Sequence, residues 1–100
     1  MNAQQIQENY MAGEKTFLKL FNMPKTELLE LLKEICGTKV SEDVLENSSN
    51  VYKEITNDVP QKLIIASWDK LEITPFGIKY VKEHGQSTQI IDFNKFFTIP

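Results

Sequence analysis

The side chains that most often perform catalysis are scarce in this chain. Among its 100 residues there is one histidine, His84, and one cysteine, Cys36. Acid–base catalysis needs convergent groups with shifted pKa values, and a nucleophilic thiol needs a basic neighbour. The two residues lie far apart in sequence, and no set of His, Cys, Asp and Glu residues has metal-ligand spacing. We therefore expect no enzymatic activity, no metal and no cofactor, and we expect Cys36 to be a small buried residue.

Binding is the chemistry that remains, and the charged residues limit what is bound. The net charge is −3, from 11 Lys+Arg against 14 Asp+Glu, and every one of the cations is a lysine. Arginine makes the bidentate contacts to guanine and phosphate, so its absence weighs against sequence-specific DNA binding. Several carboxylates fall between residues 42 and 58 and would suit a basic protein surface: Glu42, Asp43, Glu46, Glu54 and Asp58.

Length and composition predict one globular domain over residues 1–100. Hydrophobic residues make up 41% and charged residues 25%, as in ordinary folded proteins. The sequence has no apolar run long enough to cross a bilayer and no secretion signal at residues 1–15, so we expect a cytoplasmic location.

The first half of the chain reads as helical. A polar helix is predicted over residues 2–22, with Ile6, Tyr10 and Phe17 in one apolar stripe if the helix runs through Gly13. An amphipathic helix follows over residues 25–36 and is ended by Gly37. Two short helices are predicted next, one after Ser41 and one over about residues 50–58.

The second half introduces strands. A strand is predicted over residues 62–68, a tight turn at Asp69-Lys70 and a returning strand over residues 71–74. Trp68 is expected to anchor this hairpin in the core. One helix through residues 61–70 is the alternative. Thr74-Pro75 then predicts the start of a helix over residues 75–84. In the tail, alternation after Gln89 favours a strand, although the spacing of Ile90, Phe93 and Phe97 equally allows a helix.

This order of elements resembles that of a winged helix-turn-helix domain over residues 25–85. The segment LEITPFGIKYVKEHG, residues 71–85, is similar to the second wing strand and following helix of bacterial winged-helix regulators, with Leu71, Ile73, Thr74 and Gly77 at the characteristic positions. The resemblance implies an α+β fold of three helices, a β-hairpin and a further helix. We expect this core to carry a helical extension at residues 2–22 and an apolar tail at residues 88–100.

The resemblance also implies a regulatory, non-enzymatic protein whose third helix enters the DNA major groove while the hairpin contacts phosphates. The candidate DNA- or partner-binding residues are Ser49, Asn50, Tyr52, Lys53, Thr56, Asn57 and Lys70. The alternative is an acidic protein-interaction module, such as an adaptor, inhibitor or immunity-type protein, without nucleic-acid binding. No membrane partner is expected.

Apolar residues near both ends of the chain leave a homodimer open, because surplus apolar surface often marks a partner site. The candidate interface residues are Ile6, Tyr10, Phe17, Phe93 and Phe97. The competing expectation is that the tail packs back on its own domain.

Overall fold

The computed structural model describes residues 3–46 and 50–93; between residues 3 and 12, it describes only the side chain of Gln4. Three α-helices and a short 3-10 helix are followed by five strands. No helix in these ranges is both long and apolar enough to cross a membrane. The elements are α1 (Ala3–Phe21), α2 (Lys25–Cys36), the 3-10 helix (Gly37–Lys39), α3 (Glu42–Glu46), β1 (Asn50–Thr56), β2 (Val59–Ala66), β3 (Lys70–Thr74), β4 (Gly77–Val81) and β5 (Ser87–Ile91).

The five strands form one antiparallel sheet in sequence order, β1-β2-β3-β4-β5. The helices cover one face of this sheet, with α1 packed against β2 and β3, and α3 against β2. Alternation along each strand sends one set of side chains inward and the other outward. The inner set supplies the strands' share of the core, including Leu63, Ile65, Leu71, Ile73 and Ile78, all fully buried.

The helices contribute the other half of the core through residues spaced three or four apart. In α1 these are Phe17, Leu20 and Phe21, and in α2 they are Leu28, Leu32 and Cys36; all are buried. The helix prediction over residues 25–36 is confirmed, as is its end at Gly37. That glycine has a φ of 57° and donates its N–H to the carbonyl of Lys33.

The expected winged-helix fold is wrong. The structure has a five-stranded meander where that fold would have a single hairpin flanked by helices. Two of the predicted helices are strands: residues 50–56 form β1 and residues 77–81 form β4. The hairpin over residues 62–74 is confirmed as part of β2 and β3, but its turn lies at residues 67–69 and not at Asp69-Lys70, because Lys70 pairs with Ala66. The alternative of one helix through residues 61–70 is wrong.

The error at β1 has a simple physical cause. Val51 and Ile55 lie four residues apart, and this spacing fits a helix turn but is also twice the strand period. The deciding residues come afterwards: Asn57 and Asp58 both have positive φ, 53° and 63°, and make the two-residue turn into β2. Asn and Asp tolerate that backbone, although the strongest hairpin signals carry a glycine.

The error at β4 comes from a Thr-Pro pair that starts a turn and not a helix. The Oγ1 of Thr74 accepts a hydrogen bond from the N–H of Phe76 at 3.2 Å, closing the turn through Pro75. Gly77 then takes a φ of +141°, and a Cβ there would overlap the carbonyl oxygen of Ile91. The fixed φ of proline suits the second residue of a β-turn as well as the first residue of a helix, so Pro75 does not distinguish between these two structures.

Two further expectations concern the hairpin and the tail. Trp68 was expected to anchor the core, but its side chain is 75% exposed in the β2–β3 turn, so that expectation is wrong. The predicted tail strand is confirmed only to Ile91, where β5 ends. Phe93, which the same alternation placed in that strand, has helical backbone, so this part of the prediction is wrong. Phe93 is buried in the core. Residues 94–100 lie outside the described part of the chain.

Candidate protein-binding surface

The helical layer reaches the edge strand β1 only in part, and this leaves the margin of the core open. The inward-facing side chains of β1 become more exposed along the strand. Val51 is half-buried, Lys53 is exposed, and Ile55 is exposed over 56% of its surface. The core therefore ends at β1 on an incompletely covered apolar edge.

Lys53 occupies a position where an apolar residue would be expected. Its cross-strand neighbours in the same inner row are Leu63, Ile73 and Ile78, which are fully buried. The Nζ of Lys53 lies 5.0 Å from the centroid of the Phe21 ring, which is within cation–π range. The aliphatic stem of the lysine thus extends the core edge while its ammonium reaches the surface.

An open groove runs between β1 and the link that joins α1 to α2. Its volume is ≈ 560 Å³, and its lining residues are Asn22, Met23, Pro24, Lys25, Leu28, Val51 and Lys53. A second depression of ≈ 570 Å³ adjoins the same link; it shares Asn22, Met23 and Pro24 and adds Lys15, Leu18, Lys19 and Glu27. We call the two together the linker groove.

Hydrogen bonds hold the link between the helices in place. The Nδ2 of Asn22 donates to the carbonyl of Leu18 at 3.0 Å, and the N–H of Met23 donates to that of Leu20 at 3.2 Å. On the far side, the N–H of Leu28 donates to the carbonyl of Pro24 at 2.9 Å. The groove thus has a fixed backbone, while the unbranched Met23 side chain can adapt to an apolar ligand.

The rim of the linker groove is positively charged. Four lysines and one glutamate line it, so its local balance is 4 − 1 = +3 in a chain whose net charge is −3. Within the described residues, no ion pair involves Lys15, Lys19 or Lys25. Glu27 offsets one of the four lysine charges, and the excess of positive charge remains at the rim.

Two other grooves have balanced charges. The groove between α2 and α3 contains the ion pair of Lys33 and Glu46, whose Nζ and Oε1 lie 3.3 Å apart. The groove on the outer face of the sheet has Glu72 and Lys79 in its wall. Neither shows the excess of one sign found at the linker groove.

The groups with shifted pKa values lie away from this groove and have structural causes. Burial raises the pKa of the Cys36 thiol to about 11, against a smaller lowering by Lys39. The Tyr80 hydroxyl donates to Asp69 and holds the pKa of that carboxyl below its usual value. The N–H of Glu83 also donates to Asp69, at 2.9 Å. These bonds tie the β2–β3 turn to the end of β4.

The same tie affects the tyrosine, since burial and the bond to Asp69 raise the pKa of Tyr80. Over residues 3–46 and 50–93, no group of three or more His, Cys, Asp or Glu side chains is arranged to hold a metal ion.

The predicted binding residues do not share one face. Asn50, Tyr52, Lys53 and Thr56 lie on β1, and Asn57 lies in the turn that follows. Strand alternation sends Tyr52 to the outer face and Lys53 to the inner face, and of this set only Lys53 lines the linker groove.

The other predicted site residues lie elsewhere. Lys70 is on β3, opposite Ala66 and Val81, and Ser49 is outside the described residues. Of the predicted oligomer contacts, Phe17 and Phe93 are fully buried and offer no surface in the folded monomer. The side chains of Ile6 and Tyr10, and all of Phe97, fall outside the described part.

Sequence reasoning missed most of the groove. Lys15, Lys19 and Lys25 closely flank a Met-Pro link, and that pattern was the available signal for a cationic site. The proximity of Lys25 to Lys53 depends on the placement of β1 beside the link, which the sequence pattern did not reveal.

Comparisons of the chain with protein-family models, with curated proteins and with solved structures find no match. Function must therefore be inferred from the geometry and charge of the chain itself.

Proposed function

We propose that this protein is a non-enzymatic protein-binding module whose linker groove captures an acidic segment of a partner protein carrying large apolar side chains. One observation carries the proposal. A fixed, apolar-floored groove has a local charge of +3 on a chain whose net charge is −3. Such a reversal of sign concentrates attraction for carboxylates at one place on the surface.

The two parts of the groove have different roles in binding. The half-buried Met23 and Val51 supply apolar surface, and burying one leucine-sized side chain against them contributes about 2 kcal/mol. The exposed lysines contribute less, about 0.2–1 kcal/mol each, and act mainly on the association rate and on partner choice. Affinity is therefore expected to come from the apolar contacts, and selectivity from the rim.

DNA binding receives less support from the same surface. The β1–β2 hairpin could enter a major groove as a two-stranded ribbon. Its charges cancel, however, because Lys53 and Lys62 are matched by Glu54 and Asp58. Counterion release would then contribute little to binding, so we place protein binding ahead of DNA binding.

The test is selection of a random displayed peptide library on the full chain, at low and at physiological salt. Selected peptides are expected to be enriched in Asp or Glu together with large apolar residues. The double variant Lys19→Glu/Lys25→Glu should bind the selected peptides about tenfold more weakly, which corresponds to about 1.4 kcal/mol.

The matched control is Lys39→Glu/Lys70→Glu, which changes the net charge equally at two exposed lysines outside the groove. Peptide affinity in this control should remain close to that of the parent chain. Equal losses in both variants would show a general charge effect and contradict the proposed site. Selection without acidic enrichment, or steeply salt-dependent binding of random-sequence duplex DNA, would contradict the proposed function.

A further inference from the structure

We infer that the captured segment belongs to a different protein and binds in extended form, as a sixth strand antiparallel to β1. This inference rests on the proposed function and specifies how the partner is held. Among the described strands, β1 pairs only with β2. Alternate residues of such an edge strand direct their N–H and C=O groups away from the sheet, where a further strand can pair with them.

The usable part of this edge is short and well defined. β1 begins at Asn50, and its register with β2 shifts between Glu54 and Ile55. The extra residue of this bulge is Gln61 on β2, which has no partner on β1, and a bulge raises the local twist of the strand pair. The regular segment is therefore Asn50–Glu54, with Tyr52 at its centre, and its inner face opens onto the linker groove through Val51 and Lys53.

Lys53 decides which strands this edge accepts. An inward-pointing charge on an edge strand is a common device against unwanted pairing. A neutral strand laid over Lys53 would cover part of its ammonium without supplying a partner, and burying an uncompensated charge is unfavourable. A strand with a carboxylate opposite Lys53 forms a charge pair with it. Lys53 therefore disfavours neutral strands and favours strands that carry an acidic residue at this position.

A second copy of this chain does not meet that requirement. Two copies paired antiparallel about a two-fold axis keep their inner faces on the same side, so each register centres on one residue. In the register centred on Tyr52, Lys53 of one copy faces Val51 of the second copy. In the register centred on Lys53, the ammonium groups of the two copies oppose each other. In the register centred on Glu54, the two carboxylates oppose each other. Directly opposed like charges destabilise a strand pair, and none of these registers places a carboxylate opposite Lys53.

Antiparallel pairing is slightly more stable per residue than parallel pairing, and this direction fixes the order of the partner's residues. Read from its N-terminus, the segment presents Asp or Glu opposite Lys53, then a β-branched or aromatic residue opposite Tyr52 on the outer face. A large apolar residue opposite Val51 follows and enters the groove beside Met23. The expected pattern is an acidic residue two positions before a large apolar one, in an extended segment.

The experiment repeats the peptide selection on the parent chain and on Lys53→Glu. The parent should select the acidic–x–apolar order. Lys53→Glu should bind those peptides about tenfold more weakly and should itself select Lys or Arg at the acidic position. The control is Lys70→Glu, which replaces an exposed lysine on β3 opposite Ala66 and Val81, and it should select as the parent does. Binding of the charge-swapped peptides by Lys53→Glu shows that this variant is folded.

A second measurement isolates the main-chain pairing. Single N-methylation along a selected peptide should lower its affinity about tenfold at alternate positions, those whose amides face β1, and little at the others. Acidic peptides that tolerate methylation at every position would overturn strand addition while leaving the acid-binding groove intact. If Lys53→Glu selected the same acidic peptides as the parent chain, strand addition would be overturned in the same way. Absence of acidic enrichment on the parent chain would overturn both proposals.

Discussion

Replacing Gly77 with alanine tests the most consequential feature of the fold, the turn from β3 into β4. Gly77 has a φ of +141°, where side chains are rarely tolerated, and an added Cβ would overlap the carbonyl oxygen of Ile91 on β5. The backbone strain costs about 1–3 kcal/mol. Relieving the overlap requires β4 and β5 to separate near the Ile78–Ile91 pair, at about 1–2 kcal/mol for a disturbed hydrogen bond.

The total expected loss is about 2–5 kcal/mol, a large part of the 5–15 kcal/mol that stabilises a domain. Urea unfolding followed by far-UV circular dichroism measures it. Gly85→Ala is the matched control, because Gly85 has a φ of +86° but open space around its added Cβ, so it reports strain without overlap. Its expected loss is about 1–2 kcal/mol.

The sign of the result also separates the two local structures considered for this segment. If residues 75–84 were helical, Gly77→Ala would stabilise the protein by about 1 kcal/mol, because alanine is the better helix former. Stabilisation by Gly77→Ala, or a loss no larger than that of Gly85→Ala, would refute the description of this turn.

Three further predictions concern single side chains. Tyr80→Phe removes the hydroxyl that donates to Asp69 and should lower the free energy of unfolding by about 1–2 kcal/mol. Because the bonded carboxyl of Asp69 has a lowered pKa, its contribution to stability is present above the unfolded pKa of 3.8 and is lost as the pH falls through the folded pKa. The free energy of unfolding of the variant, measured by urea titration, should therefore decrease less steeply at acid pH than that of the parent chain. An unchanged decrease would contradict this. Burial raises the pKa of Cys36 from 9.0 to about 11, so the unfolded chain loses the thiol proton at a lower pH than the folded chain, and stability should fall as the pH rises between these values. Cys36→Ala should reduce the slope of unfolding free energy against pH in this range, and equal slopes would contradict the prediction. Lys53→Leu removes the inward charge from the β1 edge and should promote self-association in sedimentation experiments, whereas a monomer at all concentrations would argue against a blocking role.

Much of the first half of the fold was predictable from the sequence, since its helices are set by local patterns. The apolar residues of α2 repeat at helical spacing, and Gly37 ends that helix by a backbone conformation that glycine adopts without strain. The β2–β3 hairpin was predictable for the same reason. Alternation over Leu71–Thr74 has a period that a helix does not share.

The rest was ambiguous because the deciding interactions lie outside the segments themselves. Val51 and Ile55 fit either period, and Thr74-Pro75 fits either a helix start or a turn. At β4 the deciding contact is between Gly77 and Ile91, residues that no local pattern relates. Assigning these segments as helices then produced a resemblance to winged-helix regulators that the sheet does not support.

The proposed binding site shows how the wrong prediction for β1 affects the functional hypothesis. On a helix, Lys53 would share a solvent-facing side with Asn50 and Asn57 and could contact DNA. On β1 it turns inward, at the end of a row of buried aliphatic residues and above the Phe21 ring. Only there does it join the lysines beside the Met23-Pro24 link, so that an acidic chain acquires a cationic groove. The same Lys53 charge that makes self-pairing unfavourable is then the feature that a carboxylate-bearing strand can satisfy.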